Sequence, residues 1–107
     1  MSEAPLLRYV VLRHEGVPDP HYDLMFETSP GSALSTWRSP KWPPAPDTDL
    51  TPLAEHRGAY LTYEGPLTDD RGTVRRVASG RHRVTGDDAT VLIVVLDDGR
   101  KLRLPRA

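Results

Sequence analysis

Two histidines and an aspartate within ten residues, His14, His21 and Asp23, are the part of this chain whose types and spacing could do chemistry. In an extended strand, side chains alternate between faces, so His21 and Asp23 project together while Tyr22, Leu24 and Phe26 project to the other side. One face is then apolar. The other offers imidazole nitrogen and carboxylate oxygen, donors suited to manganese, iron or zinc. His14 completes the set if residues 16–20 form a turn. The plainer alternative is a half-buried strand whose polar face carries His and Asp with no ion, and a short His/Asp pattern does not by itself separate the two.

The elements that must position these residues read as short strands. Residues 6–12 are β-branched and aromatic enough for a first strand ending at His14, and 21–27 form a second after a loop in which Pro18 and Pro20 exclude helix. A third, 33–38, carries Trp37. Residues 39–46 are proline-dense and predict a stiff extended loop. The stretch 47–54 supports at most a weak helix or a short turn before His56. Residues 59–64 alternate as a strand, 68–72 form a turn, and 73–78 and 81–85 are two strands broken at Ser79-Gly80. Residues 90–96 and 100–104 flank Asp97-Asp98-Gly99, the clearest hairpin in the chain. Seven or eight mostly antiparallel strands predict an all-β fold, a small single-domain β-barrel over 1–107.

Composition narrows the chemistry. At 107 residues the chain makes one domain that buries roughly 65% of its unfolded surface. It has no cysteine, so a disulfide framework and a thiolate metal site are both excluded, and a cytoplasmic location is the expectation. Residues 1–5 lack the basic start and apolar run of a signal peptide, and the longest apolar run, 91–96, is far shorter than a membrane span, so no membrane partner is expected. The net charge of −1 is unevenly spread. Residues 1–70 hold five basic and eleven acidic side chains, and 71–107 hold nine basic and four acidic. Arg71, Arg75, Arg76, Arg81 and Arg83 follow one another without an acid among them, as a phosphate backbone or an ordinary solvated face would require. His82 among them reads as a surface residue. Trp37 and Trp42 could stack on bases, but a chain with few aromatics needs them for its core.

His14, then His21-Tyr22-Asp23-Leu24 with Glu27, then Trp37 and Pro40-Lys41, then Glu55-His56 and Tyr60, then Tyr63-Glu64-Gly65, resemble in order and spacing the phosphoesterase domain of bacterial DNA ligase D. The terminal hairpin with Asp98-Gly99 and Lys101-Leu102 is similar to the end of that domain, so the resemblance spans roughly residues 8 to 104. That family is a small β-barrel that trims 3′ ends of DNA primers, removing a terminal ribonucleoside and then a 3′-phosphate with a divalent metal, typically manganese. The resemblance implies that His14, His21 and Asp23 hold the metal, Mn2+ or alternatively Zn2+. It also implies that His56 and Tyr60 contact the scissile phosphate, with His56 as general acid, and that Lys41 is a further phosphate contact. One departure matters: the family's His-Tyr-Asp-x-Arg pattern has an arginine two residues after the metal aspartate, and Met25 stands there. Arg38 and Arg57 are the candidates to replace that cation. Three readings follow: a phosphoesterase acting on nucleic-acid 3′ ends in DNA end repair, an end- or phosphate-binding module without efficient turnover, and a β-barrel that contacts a separate ligase or polymerase.

Overall fold

The computed structural model describes residues 6–106, so the signal-peptide reading of residues 1–5 lies outside the described residues. Eight strands form one antiparallel sheet curled into a half-barrel. They are β1 (Leu7–Glu15), β2 (His21–Glu27), β3 (Leu34–Ser39), β4 (Thr51–His56), β5 (Gly65–Pro66), β6 (Thr73–Asp87), β7 (Val91–Leu96) and β8 (Lys101–Pro105). The order across the sheet is β4-β3-β2-β1-β6-β7-β8, with β5 paired to the start of β6. The all-β expectation holds, and no helix among the described residues is long and apolar enough to cross a membrane.

β1 lies at the centre and is covered on both sides, which is why Val10, Val11 and Leu12 are buried in succession. Its odd positions, Tyr9 and Val11, join Leu24, Phe26 and Trp37 and the even residues of β7 and β8 in the main core. The Trp37 indole N–H donates to the Pro105 carbonyl at 2.6 Å, tying β3 to β8 across that core and curling the sheet. The even positions of β1, Val10 and Leu12, face the opposite side and form a second cluster with Met25, Leu34, Leu61 and Val74. Trp37 is therefore a core residue, and Trp42 packs against the same cluster.

Four local expectations fail, each for a tertiary reason. The stretch 47–54, expected as a weak helix or a short turn before His56, instead leads into a strand over 51–56 paired with β3, and Pro52 is tolerated because β4 is the edge of the sheet. Residues 59–64, expected as a strand, instead begin with a single 3₁₀ turn, Gly58–Leu61, in which Tyr60 N–H donates to the Arg57 carbonyl and Thr62 N–H to that of Ala59. The near-threefold repeat puts Tyr60 and Tyr63 side by side, ring centroids 6.2 Å apart, where a strand would have sent them to opposite faces. The break expected at Ser79-Gly80 is absent: β6 runs unbroken, pairing Ser79 with Val10 and Gly80 with Tyr9. Gly80 is a contact glycine, since a Cβ there would lie 2.6 Å from an Asp97 carboxylate oxygen, and Asp97 accepts the Arg81 N–H at 3.0 Å. The hairpin at Asp97-Asp98-Gly99 forms as expected, with Gly99 at φ 90° and its N–H donating to Leu96.

His82 is the fourth correction. It is 1% exposed, packed edge-on against Phe26, and its Nε2–H donates to the Glu27 carbonyl at 2.9 Å. Pairing with Leu7 turns it into the core while its arginine neighbours face away. The Glu27 side chain, also buried, accepts the Arg8 backbone N–H at 2.7 Å, the Arg8 guanidinium at 3.1 Å and the Gly31 N–H at 3.0 Å.

Burial pushes the His82 imidazole below its ordinary 6.5, and its hydrogen bond to Glu27 only partly opposes this. Burial also tends to raise the Glu27 carboxyl, but its hydrogen bonds to Arg8 and Gly31 outweigh it and hold the group below its ordinary 4.5. The unfolded chain protonates His82 before the folded chain does, so stability should fall as pH drops from 6.5 through the lowered native value. The Glu27 contribution is lost at more acid pH, below 4.5. Urea titrations across pH 7.5 to 3 should show the two losses as separate steps, and His82→Gln should remove its share of the first step while leaving the second. An unchanged slope in the first window would show that His82 does not carry it.

Candidate metal centre

The β1–β2 register sets His14 directly opposite His21 and Leu12 opposite Asp23. With residues 16–20 making the connecting bend, three donors from two adjacent strands meet at one end of the sheet. The two imidazole centroids are 4.9 Å apart. His14 Nδ1 is 3.5 Å from one Asp23 oxygen and His21 Nε2 is 3.3 Å from the other. All three donor atoms lie within 4.8 Å of one another.

The other ring nitrogens decide what these atoms can be. His21 Nδ1 donates to the Asp19 carbonyl at 2.7 Å, and His14 Nε2 donates to the Arg71 carbonyl at 2.6 Å. Each bond places one ring N–H on a carbonyl and turns the other ring nitrogen toward Asp23, the orientation in which a neutral imidazole offers that nitrogen as a ligand. Two imidazole nitrogens and a carboxylate therefore converge. His21 Nε2 and Asp23 Oδ1 are buried with no hydrogen-bond partner among the described residues. A buried acceptor left unpaired costs about 1 to 3 kcal/mol, which a cation at the point of convergence would recover. The donor set, without thiolate, fits a divalent ion of the manganese, iron or zinc type.

His56, at the end of β4, and Tyr60, in the 3₁₀ turn, reach the same place. Their rings meet edge to face with centroids 5.6 Å apart, and both line a cavity of about 110 Å3 shared with His14, Asp23, Met25 and Arg71. His56 Nδ1 donates to the Ala54 carbonyl at 3.0 Å, which leaves Nε2 as the nitrogen for chemistry. His14, His21, Asp23, His56 and Tyr60 are thus brought to one end of the sheet by β1, β2, β4 and the turn.

The cations fare differently. Arg38 sits opposite Asp23 on β3, on the same face of the sheet, but is exposed and outside the cavity. Arg57 lines a second cavity of about 170 Å3 with Tyr60, Tyr63 and Arg71. Lys41 lies in the bend after β3, where its carbonyl accepts the Ser39 hydroxyl, and borders neither cavity. Met25 is 1% exposed and belongs to the apolar cluster with Val10, Leu12 and Leu34.

Arg71 is the site residue that sequence reasoning missed, having counted it only as the first of an arginine run. It lines both cavities, its carbonyl orients His14, and its guanidinium is braced by the Thr68 carbonyl and hydroxyl at 3.0 Å each. The one available signal was the turn itself. Asp69 and Asp70 take φ of 61° and 54° and Gly72 takes 84°, and a Cβ on Gly72 would collide with the Glu15 carbonyl. That glycine lets the loop close on the end of β1 and deliver Arg71.

A scan against protein-family models finds no match to this chain, and a search of curated proteins finds none either.

Gly72→Ala adds a side chain where φ is positive and the space is filled, so it should destabilise the protein by more than about 1 kcal/mol. It should also release the Arg71 carbonyl from His14. Chemical denaturation and the exchange rate of the His14 Nε2–H proton, followed by NMR, are the measurements. A variant that keeps both would show that this loop does not depend on the glycine.

Proposed function

We propose that this chain is a divalent-metal-dependent phosphoesterase acting on the 3′ ends of nucleic acid, with a role in DNA end repair. The observation that carries the reading is the convergence of donor atoms of His14, His21 and Asp23 within 4.8 Å of one another, with His14 and Asp23 sharing one cavity with His56 and Tyr60. It is supported by the ordered resemblance to the ligase D phosphoesterase domain. His14, His21 and Asp23 would hold the ion, manganese before zinc, and when bound it supplies neutralisation of phosphate charge and an activated water.

The chain's own groups supply the rest. For a 3′-phosphate the reaction is hydrolysis: an oxygen–phosphorus bond forms to water, the phosphorus–O3′ bond breaks, and the 3′ oxygen takes a proton. His56, as the imidazolium with Nδ1–H on the Ala54 carbonyl, gives that proton from Nε2 and takes back the one the attacking water loses, so the 3′-hydroxyl and inorganic phosphate leave with the ring as it began. The Tyr60 hydroxyl offers a hydrogen bond to a non-bridging oxygen. Arg71 would take the place of the missing strand arginine: the residue lines the cavity from the loop, while Met25 fills the strand position with apolar bulk.

A second reading, an end-binding module without efficient turnover, is favoured by Met25 specifically. The two are separated with a primer-template bearing a 3′-phosphate, incubated with manganese. Phosphate release by the wild type is expected, with loss in His21→Ala and a fall of about 10²- to 10⁴-fold in His56→Ala. Arg71→Ala should lower the rate by on the order of 10²- to 10³-fold. End binding without release would favour the module. If calorimetry finds no divalent ion bound, both readings fail and an interaction role with a separate ligase or polymerase takes their place.

A further inference from the structure

The outer face of β6, β7 and β8 carries a group of cations that the metal centre does not use. Arg81, Arg83, Lys101 and Arg103 are exposed, and none makes an ion pair among the described residues. Arg83 pairs with Val95 and Val95 with Lys101, while Ile93 pairs with Arg103. Directly opposed residues share a face, so these side chains stand on one surface with half-buried Val95 and Ile93 between them. Arg81 pairs with Arg8, Ser79 with Val10 and Val74 with His14, which makes it the same face that carries the metal ligands. The acids around this face are otherwise engaged. Glu27 is held by Arg8 and Gly31, Asp97 fills the space in front of Gly80 on the Tyr9 side, and Asp88, within electrostatic reach of Arg103, is held by Thr90 and Val91.

From Val74, beside His14, to Arg83, β6 covers about 26 Å at about 3.3 Å per residue with one bulged residue. That length matches about eight base pairs at 3.4 Å each. Among the described residues the surface holds no aromatic platform for unpaired bases: Tyr9, Tyr22, Phe26, Trp37 and Trp42 pack on the opposite core, and Tyr60 and Tyr63 stand at the metal end. Contacts there are therefore to backbone phosphate, not to stacked bases.

We propose that the outer face of β6–β8 is a track for the phosphate backbone of duplex nucleic acid, running from Arg83 and Lys101 toward a 3′ end placed at the metal centre. The direction of the track rests on the 3′-end reading above; the duplex-binding surface does not.

The test compares the wild type with the combined variant Arg81→Gln, Arg83→Gln, Lys101→Gln, Arg103→Gln. These residues are exposed, so the fold should survive, and circular dichroism checks that it does. The probes are fluorescein-labelled DNA hairpins with stems of twelve and four base pairs, both ending in a 3′-phosphate, titrated in EDTA between 50 and 200 mM salt. Removing four phosphate contacts should flatten the plot of log affinity against log salt by about 3 to 4 on the long stem. The wild type then loses on the order of 10²-fold more affinity than the variant across that salt range. Binding of the short stem should be unchanged. Equal slopes on the long stem would overturn the duplex-binding surface, and equal losses on both stems would overturn the direction of the track toward the metal centre. Since EDTA removes any metal contribution, failure of the phosphoesterase reading leaves the slope intact. Failure of the slope leaves metal-dependent phosphate release from short substrates intact.

Discussion

The antiparallel register of β1 against β2 is the constraint on which the rest depends. His14 opposite His21 and Leu12 opposite Asp23 place the donors together, and the same register alternates Tyr9 and Val11 into one core and Val10 and Leu12 into the other. A slip of one residue would exchange the faces of the whole strand, burying Arg8 and His14 and exposing the core residues. Site and core therefore cannot be misregistered independently. Because β1 is packed on both sides, few alternative pairings bury as much apolar surface, and the His14, His21 and Asp23 side chains inherit a precision that neither they nor their loop provides.

The sheet uses its two faces for different ends. The inner face is closed by Phe26, Trp37 and the leucines of β7 and β8, with the indole of Trp37 anchored on Pro105. The outer face is left partly uncovered. Near the start of β6 it is capped by the 3₁₀ turn, with Leu61 packed beneath, and there the cavity forms. Farther along it carries exposed arginine and lysine. The long, unbroken β6 connects these regions, and two bulges, at Val77 and Thr85, let it follow the curl of the sheet.

Within the site, stability and function pull apart. Buried polar atoms of His21 and Asp23 without a hydrogen-bond partner are unfavourable to folding, and the hydrogen-bonded outer nitrogens of His14 and His21 hold the group in that arrangement. The cost is set against the packing of the Met25 cluster beneath. An arginine at position 25 would add an unpaired charge to that cluster, whereas Arg71 reaches the cavity from a loop with its guanidinium already braced by Thr68.

Local sequence determined what depends on nearest neighbours. Alternation placed His21 and Asp23 on one face, Asp-Gly set the β7–β8 hairpin, the prolines set the extended loop, and the lack of cysteine confined any metal to nitrogen and oxygen donors. Only the tertiary structure decided what depends on distant partners. Residues 51–56 became a strand because β3 offered an edge, Gly80 proved to be a contact with Asp97 and not a break, and His82 turned inward because Leu7 is its partner. Tyr60 and Tyr63 came together through a 3₁₀ turn that a six-residue apolar and polar alternation does not distinguish from a strand. Arg71 joined the site through a loop whose closure rests on one glycine against Glu15. Periodicity reports which face a side chain takes relative to its neighbours, but which strand lies across from it is a long-range choice made by the whole core.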